Sequence, residues 1–354
     1  MKKVRVAVTG MNAVDSPGPG VAVLRCLQDY GSDLELIGLS YDVLEPGNFM
    51  GDLIHSSFIL PYPSAGPEAL RERLLEIHRE RSIDIILPTL DSELENYIDL
   101  QTFLEVEGIR VILPNRSALR LRDKTRLEES LGGAHANIPR TIVLGDLAAL
   151  DKAIEELEFP FLVKGVYYDA HLVHSQAQAQ GYFHKLASQW GLPVIAQQWI
   201  DGEEQNVAAL AEQGSLLGAV AMKKMFLTDK GKAWSGVTIA NPAIMEESAR
   251  ILDSIHWDGA CELEYIVEKK TNKVYLIEIN PRFPAWIYLS KAAGLNLPLL
   301  ALRQALGEPV AAQSTYQSGV VFVRHSWDEI VPMEAIASLS ARGALTPRAL
   351  EATV

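Results

Sequence analysis

Apolar and amphipathic stretches alternate in the first third of the chain, and this alternation is the strongest constraint on the fold. The apolar runs are strand-like and lie near residues 4, 34, 83 and 109, where the sequence reads VRVAV, LELIGLS, IDIILPTL and IRVILP. Strands separated by helix-length segments are typical of a parallel sheet in an α/β domain. We therefore predict an α/β domain over residues 1–115.

A turn rich in glycine and proline joins the first two apolar runs. Its glycines Gly10, Gly18 and Gly20 do not follow the GxGxxG spacing. Such a turn can place backbone N–H groups and a helix N-terminus near an anion, but reversing the chain direction is the simpler role for these glycines. A dehydrogenase that binds NAD at this turn therefore ranks well below the function proposed from the second half of the chain.

The pattern changes after Pro114. A charged helix is expected from about Ser117, and the strand-like runs that follow are spaced closely enough for antiparallel hairpins. This half is therefore expected to be α+β. With 354 residues, the chain exceeds the usual size of a single domain. We place two further lobes at residues 116–200 and 201–330, followed by a short helix and a loose C-terminal tail at 331–354.

Composition excludes several classes of function. A formal net charge of −13 disfavours general attraction to nucleic acid phosphates, so we expect no nucleic-acid partner. The two cysteines, Cys26 and Cys261, are far apart and lack the spacing of a disulfide framework or a zinc site. Because no uninterrupted apolar stretch is long enough to span a bilayer, we also expect a cytoplasmic protein without a membrane partner.

Carboxylates interrupt the β-forming runs near residues 260–280. Glu262, Glu264 and Glu278 lie within or at the ends of otherwise apolar strands, where charged groups rarely occur without a partner. If the sequence TNK between the strands forms a turn, Glu264 and Glu278 can share one face. Two neighbouring carboxylates tolerate each other when a proton or a cation lies between them, and Mg²⁺ is commonly held by one or two carboxylates.

Two further polar residues continue this pattern. Asn280 and Arg282 follow Glu278 at two-residue spacing, so in an extended strand the three side chains project on the same side. A carboxylate, an amide and a guanidinium in a row suit a metal ion, its phosphate ligand and the charge that develops during phosphoryl transfer.

These motifs resemble the ATP-grasp superfamily, in particular carbamoyl-phosphate-synthase-like carboxylate-amine ligases. EINPR at 278–282, with Glu264 fourteen residues before Glu278, is similar to the metal-binding end of that family. VIAQQWIDGEEQNVAAL at 194–210 resembles its hinge strand, IDIILPTLDSELEN at 83–96 its N-terminal domain, and NRSALRLRDKTRL at 115–127 the entry to its nucleotide domain. The resemblance covers nearly the whole chain and implies a Rossmann-like pre-ATP-grasp domain followed by a two-lobed ATP-grasp domain.

The resemblance also implies ATP and Mg²⁺ as cofactors, with Mn²⁺ as an alternative metal, and a role for each matching residue. Basic residues near the nucleotide phosphates are Lys124, Lys164 and Lys224 or its neighbour Lys223. Residues at the adenine hinge are Gln198, Trp199 and Ile200, and the ribose-binding acid is Glu204. The metal ligands are Glu264, Glu278 and Asn280. Arg282 and Lys224 are the candidate catalytic residues, with Arg282 at the transferred phosphate or acyl phosphate.

The sequence departs from the family after Lys164, where a glycine-rich loop is usual. Gly165 is kept, but Tyr167 and Tyr168 replace small residues, so this loop is expected to be shorter and bulkier. Two hypotheses therefore stand: a ligase that joins a small-molecule carboxylate to an amine or a thiol, or an ATP-binding sensor or scaffold with reduced catalysis. A homodimer is the default expectation for its assembly.

Two smaller expectations concern the edges of the site. Phe283 and Trp286 follow Arg282 in place of a glycine-rich stretch, which indicates a narrowed substrate pocket. Asp91 and Glu93 resemble a family segment that faces the cleft, although capping of a helix is the simpler account for both.

Overall fold

A parallel sheet forms the N-terminal part of the computed structural model, which describes residues 3–14, 16–133, 135–166, 169–227 and 233–347. Its strands are β1 (Val4–Thr9), β2 (Leu34–Ser40), β3 (Ser56–Ile59), β4 (Ile85–Leu87) and β5 (Arg110–Val111), in the order β3-β2-β1-β4-β5. The helices between them are α1 (Gly20–Leu27), α2 (Pro67–Arg81) and α3 (Leu94–Val106). All these pairings are parallel, so the predicted sheet is confirmed, with β3 as an additional strand.

Close packing explains two glycines of the turn after β1. Gly10 has φ +74, and a Cβ on Gly20 would lie 2.1 Å from the carbonyl oxygen of Thr9. The Gly20 backbone N–H also donates to the Gly10 carbonyl at 3.1 Å. These contacts reverse the chain and press α1 against β1, in agreement with the role expected for the turn.

Short helical pieces replace the charged helix predicted from about Ser117. The helices are α4 (Arg116–Leu119) and α5 (Leu127–Leu131), and a 3-10 turn, Arg120–Arg122, follows α4 directly. The Asn115 side chain accepts from the Ala118 backbone N–H at 2.8 Å and caps α4. Lys124 therefore lies in a connection between helices rather than on one, because the helix ends before it.

An antiparallel sheet with two helices forms the next lobe. Its elements are β6 (Thr141–Leu144), α6 (Leu147–Leu157), β7 (Phe161–Gly165), β8 (Ala170–Val173), α7 (Gln176–Trp190) and β9 (Val194–Gln198). The strand order is β6-β9-β7-β8, and every pairing is antiparallel. The predicted change from a parallel to an antiparallel pattern is confirmed.

A larger antiparallel sheet carries the carboxylates that the sequence singled out. Its strands are β10 (Gly202–Glu212), β11 (Ser215–Leu227), β12 (Ala233–Thr238), β13 (Gly259–Glu268), β14 (Val274–Asn280) and β15 (Val321–Val323), in the order β14-β13-β10-β11-β12-β15. Helix α8 (Pro242–Ser254) connects β12 to β13. The TNK turn joins β13 to β14 as an antiparallel hairpin, as expected.

The large sheet and the N-terminal sheet share a hydrophobic core. Helices α9 (Tyr288–Ala292) and α10 (Leu297–Leu306) follow β14 and pack with α1 into this core. The two helices are separated at Gly294 (φ +91), and the Asn296 side chain caps α10. Cys26 and Cys261 are both buried without a disulfide, as the sequence indicated.

The C-terminal segment returns to the N-terminal sheet. Helix α11 (Met333–Arg342) is followed by β16 (Ala344–Leu345), which pairs antiparallel with β3. Ala335, Leu339 and Leu345 pack with Phe49 in a small core of their own. The expected short helix is thus present as α11, but the segment that follows it is not a loose tail, since residues 344–345 add a strand to the first sheet. In the part of the chain that the structure describes, no helix combines the length and apolar character of a membrane span.

Candidate active site

Two glutamates face each other on the β13–β14 hairpin at one edge of the large sheet. Glu264 on β13 lies directly opposite Glu278 on β14, and the side chain of each is 25% exposed. The Asn280 side-chain amide donates to Glu264 Oε1 at 3.0 Å. The sequence placed these three residues on one side of a hairpin, and the structure brings them together there.

Each of the two carboxylates has an ammonium partner. Lys124 Nζ lies 3.2 Å from Glu278 Oε2, and Lys224 Nζ lies 3.2 Å from Glu264 Oε2. Lys224 also donates to Glu204 Oε2 at 2.9 Å. The lysines thus compensate the negative charge of the pair.

Burial and the neighbouring charges move the two carboxyl pKa values apart. Burial raises the pKa of Glu278 above its ordinary value, and the negative charge of Glu264 adds to this effect against the attraction of Lys124. Burial also acts against the charged form of Glu264, but Lys224 outweighs it and holds the pKa of that carboxyl below its ordinary value. Opposite shifts are expected of adjacent like charges that compete for cations.

Lys164 reaches the same cluster from the neighbouring lobe. Its Nζ, at the end of β7, donates to Gln197 Oε1 at 2.7 Å. Burial and the positive charge of Lys124 lower the pKa of Lys164 to about 8, against attraction from Glu278, Glu204 and Glu264. A buried ammonium with an amide as its hydrogen-bond partner is suited to an incoming anion.

Adjacent lysines on β11 point to different partners. Lys224 is 11% exposed and faces the cluster, whereas Lys223 is 39% exposed and lies 2.7 Å from Glu203. Successive side chains of a strand alternate between its faces, which explains the separation. Of the two lysines that the sequence offered, the structure brings Lys224 to the cluster.

The expected hinge residues connect the two antiparallel lobes between β9 and β10. Gln198 is exposed, and its side-chain oxygen accepts from the Arg140 backbone N–H at 3.3 Å. Trp199 is 39% exposed, and Ile200 is buried. The side chain of Gln198 is thus engaged with the residue that precedes β6.

A short connection follows Lys164. Strand β7 ends at Gly165 and β8 begins at Ala170, and the Gly165 backbone N–H donates to the Asp169 carbonyl at 3.1 Å. Tyr167 and Tyr168, which the sequence marked as unusual, lie outside the described residues. The connection between β7 and β8 is short, because only residues 166–169 lie between the two strands.

Glu262 is a further carboxylate of the site, to which sequence reasoning gave no role. It is 5% exposed, and its Oε1 accepts from Asn206 Nδ2 at 2.9 Å and from Trp286 Nε1 at 2.7 Å. Its Oε2 accepts from Arg282 Nη1 at 3.0 Å and from Asn280 Nδ2 at 3.3 Å. The one signal in the sequence was its place in an apolar strand, which indicates that a buried charge has strong partners.

Arg282 joins the large sheet to the N-terminal domain. Besides Glu262, its guanidinium contacts Asp91, with Nε 3.4 Å from Oδ2. Burial acts to lower the pKa of Arg282, but Asp91 and Glu262 outweigh burial and raise it. Arg282 therefore carries a permanent positive charge beside Glu264 and Asn280.

The sequence left two roles open for Asp91 and Glu93, capping of a helix and contact with the site, and the structure assigns a different one to each residue. Glu93 is fully buried and accepts from the Thr89 and Leu90 backbone N–H groups at 2.8 and 2.9 Å, which caps the turn after β4. Its other oxygen accepts from the Tyr41 hydroxyl. Capping thus accounts for Glu93, whereas Asp91 extends to the guanidinium of Arg282.

The donors at this site fit a hard divalent cation. Glu264, Glu278 and Asn280 offer oxygen ligands, and the side chains of the two carboxylates are partly exposed. No set of three or more His, Cys, Asp or Glu side chains is arranged as a metal cage within the described ranges. Two carboxylates completed by water and phosphate oxygens are the usual Mg²⁺ environment, so the residues present fit that ion better than a metal that needs an all-protein cage.

Comparisons with known proteins agree with this architecture. Residues 192–326 match the family model described as ATP-grasp in the biosynthetic pathway with Ter operon. The chain is 25% identical over 243 residues to the large chain of carbamoyl phosphate synthase from Thermoanaerobacter sp., a match that covers 63% of this chain and 22% of the relative. The chain thus spans about one fifth of that relative.

Solved structures of low sequence identity share the fold. One is N5-carboxyaminoimidazole synthetase from Staphylococcus aureus complexed with ADP, with a TM-score of 0.67, 17% identity, and coverage of 91% of this chain and 82% of that one. Another is the biotin carboxylase domain dimer of Hydrogenobacter thermophilus 2-oxoglutarate carboxylase, in complex with MgADP, ADP and bicarbonate. It has a TM-score of 0.69, 16% identity, and coverage of 91% and 74%.

The family model that matches residues 192–326 is an ATP-grasp model, so the resemblance to the ATP-grasp superfamily seen in the sequence is confirmed for that part of the chain. The chain is also similar to the large chain of carbamoyl phosphate synthase.

Proposed function

We propose that this chain is an ATP-dependent ligase that activates a carboxylate as an acyl phosphate and transfers the acyl group to an amine. The observation that carries the proposal is the facing pair Glu264 and Glu278, which lies within reach of three lysines and next to Arg282. Positive groups around a partly buried acidic pair are what a magnesium triphosphate requires.

The metal and the phosphates have separate sets of residues in this proposal. Glu264, Glu278 and Asn280 would hold Mg²⁺, with Mn²⁺ as an alternative, and the ion would neutralise charge on the phosphate oxygens. Lys124, Lys164 and Lys224 would bind the phosphates. When metal and phosphates bind, Lys124 and Lys224 would leave Glu278 and Glu264 and contact the phosphates instead. The two glutamates would then contact the metal ion, so each charged side chain would keep a partner of opposite charge.

The nucleoside end would lie along the connection between β9 and β10. The backbone of Gln198, Trp199 and Ile200 would contact adenine, and Glu204 would accept from the ribose hydroxyls. Glu204 is 48% exposed and is held at the site by Lys224. The Glu204 side chain can therefore rotate towards a ribose without leaving a buried environment.

Arg282 would act on the transferred group. Its guanidinium is buried between carboxylates and has a fixed charge, so it can stabilise the negative charge that spreads over the phosphoryl group and the acyl oxygen. Lys224, beside Glu264, would assist it. The chain's contribution to the reaction is then the placement of charges around the reactants rather than a covalent step of its own.

The named relatives support the ligase class and leave the substrates open. Carbamoyl phosphate synthase and N5-carboxyaminoimidazole synthetase are the kinds of protein that match, and a thiol acceptor remains the alternative to an amine. Small molecules are the proposed substrates.

A sensor or scaffold that binds ATP without turnover is the second candidate. The short connection between Gly165 and Ala170 favours it, because few backbone N–H groups are available there to enclose phosphates. Calorimetry with MgATP, combined with an ADP-formation assay over a panel of carboxylates and amines, separates the two functions. Binding without ADP formation for any pair would support the sensor.

Glu278→Ala is the variant that tests the ligase. It should reduce ATP turnover by about 100-fold or more, the scale on which loss of a preorganised charged group acts, while circular dichroism shows an intact fold. Glu203→Ala is the matched control, because Glu203 is 46% exposed and pairs with Lys223 outside the cluster. Unchanged turnover in Glu278→Ala, with a substrate pair that the wild type uses, would defeat the assignment.

A further inference from the structure

Glu262 is the most completely coordinated carboxylate of the active site. Its two oxygens accept hydrogen bonds from Asn206, Trp286, Arg282 and Asn280. A carboxylate offers about four lone-pair sites, so the protein's own donors fill them. Glu262 differs in this respect from Glu264 and Glu278, which are partly exposed and keep capacity for a cation.

The donors of Glu262 lie on separate elements of the site. Asn206 comes from β10, Asn280 from the end of β14, and Arg282 and Trp286 from the segment that follows β14. Within the sheet, Glu262 lies directly opposite Asn280. One buried side chain therefore fixes a proposed metal ligand, a guanidinium and an indole relative to each other.

Asp91 holds the same guanidinium from the opposite side. It lies in the turn Asp91–Glu93 after β4, and its Oδ2 is 3.4 Å from Arg282 Nε. Glu262 Oε2 contacts Nη1 of the same group at 3.0 Å. Two carboxylates on different nitrogens of a planar guanidinium restrict both its position and its rotation.

We propose that Glu262 and Asp91 are positioning residues that together fix the guanidinium of Arg282 at the reacting phosphoryl group. This rests on the proposed ligase function for the role of Arg282, although the restraint itself does not. Asp91 belongs to the N-terminal domain, so the clamp also aligns that domain with the metal site. Glu262 at the same time fixes the indole of Trp286, which is buried in the core that the large sheet shares with the N-terminal sheet.

Arginine side-chain NMR tests the clamp without any substrate. In protein with ¹⁵N-labelled arginine, the Nε–H signal of Arg282, assigned with Arg282→Lys, should exchange slowly with solvent. Glu262→Gln replaces one acceptor oxygen by an amide N–H₂ that faces the donors of Asn206, Trp286, Arg282 and Asn280. Asp91→Asn removes the negative charge that contacts Nε of the Arg282 guanidinium. Both variants should speed exchange of this signal by about 10-fold or more, since loss of a charge-assisted hydrogen bond is worth roughly that factor.

Metal and nucleotide binding separate positioning from ligation. Glu262→Gln should bind Mn²⁺, measured by electron paramagnetic resonance, and MgADP within about 2-fold of wild type. The oxygens of Glu262 are turned to protein donors, and Asn280 keeps its hydrogen bond to Glu264 when Glu262 is replaced. Glu264→Gln is the matched variant two residues along the same strand and should lose most Mn²⁺ affinity. In the ligase assay, Glu262→Gln should lower kcat by about 100-fold with little change in the KM for ATP, as misplacement of a reacting group does.

Two results would overturn the proposal. Slow exchange of the Arg282 signal in both Glu262→Gln and Asp91→Asn would show that neither carboxylate restrains the guanidinium. Loss of Mn²⁺ binding in Glu262→Gln to the same extent as in Glu264→Gln would make Glu262 a metal ligand. If no carboxylate and amine pair yields ADP, the ligase function fails, while the NMR and Mn²⁺ measurements still decide the role of Glu262.

Discussion

Nucleotide binding should draw a proton onto Lys164. The pKa of this lysine is lowered to about 8 by burial and by Lys124, while Glu278, Glu204 and Glu264 act in the opposite direction. A bound phosphate favours the charged form of a neighbouring ammonium, so the pKa must rise when the nucleotide enters. Nucleotide binding is therefore accompanied by proton uptake at every pH at which Lys164 is partly neutral in the free protein.

The extent of uptake follows from the two pKa values. With a pKa of about 8 in the free protein and a return to the ordinary 10.5 in the complex, Lys164 takes up about 0.1 proton at pH 7, about 0.5 at pH 8 and about 0.9 at pH 9. Because the group binds more protons in the complex, affinity falls as pH rises. Between pH 7 and pH 9 the Kd should increase by about 10-fold.

Isothermal titration calorimetry measures this uptake directly. A non-hydrolysable magnesium ATP analogue is titrated at each pH in two buffers with different ionisation enthalpies, and the difference in heat gives the number of protons. Lys164→Met is the control, since it keeps a side chain of similar length without a titrating group. The variant should bind more weakly at pH 7 and lose the rise in uptake between pH 7 and pH 9.

Two outcomes would refute this reasoning. An uptake that stays constant from pH 7 to pH 9 would mean that Lys164 is fully charged in the free protein. An uptake that persists in Lys164→Met would assign the proton to another group.

Two further predictions concern the packing of Gly20 and the faces of β11 on which Lys223 and Lys224 lie. Gly20→Ala places a Cβ 2.1 Å from the Thr9 carbonyl oxygen and should destabilise the protein by about 1–3 kcal/mol, seen as a lower Tm in calorimetry. Gly145→Ala, where a Cβ has no neighbour within 4 Å, should leave the Tm nearly unchanged, and equal Tm values for the two variants would contradict the packing argument. Lys224→Ala should weaken binding of the magnesium ATP analogue by about 10-fold or more and Lys223→Ala by less than about 2-fold, because the Lys223–Glu203 pair is exposed. A larger loss in Lys223→Ala than in Lys224→Ala would reverse the assignment of the two faces.

Local periodicity explains which parts of the site could be predicted from the sequence. Glu264 and Glu278 lie on strands joined by a tight turn, so their separation along the chain determines that they meet. Asn280 and Arg282 follow from the two-residue repeat of an extended strand. The parallel N-terminal sheet was predictable for the same reason, because each strand and helix has its own pattern.

Contacts between distant segments explain what the sequence did not reveal. Asp91 meets Arg282 through the packing of the N-terminal domain on the large sheet, and nothing near Asp91 in the chain indicates that partner. Glu262 stood out as a buried charge, but its partners Asn206 and Trp286 come from other elements. The choice between Lys223 and Lys224 required the strand register, because a one-residue shift exchanges their faces.

Short strands were the elements most easily missed. β3 has four residues and begins with two serines, and β16 has two residues. Such segments form strands because a neighbouring strand supplies the hydrogen bonds, and tertiary context of this kind leaves no periodic pattern in a short sequence.

The pairing of β16 with β3 determines how the protein can be divided for experiments. A fragment of residues 1–115 would expose the edge of β3 and the face of Phe49 that α11 and β16 cover. It would also lose the partners of α1 that α9 and α10 provide. Distant segments of the chain thus complete one folding unit, and ligand studies on its N-terminal sheet need residues 1–115, 288–306 and 333–347 in the same molecule.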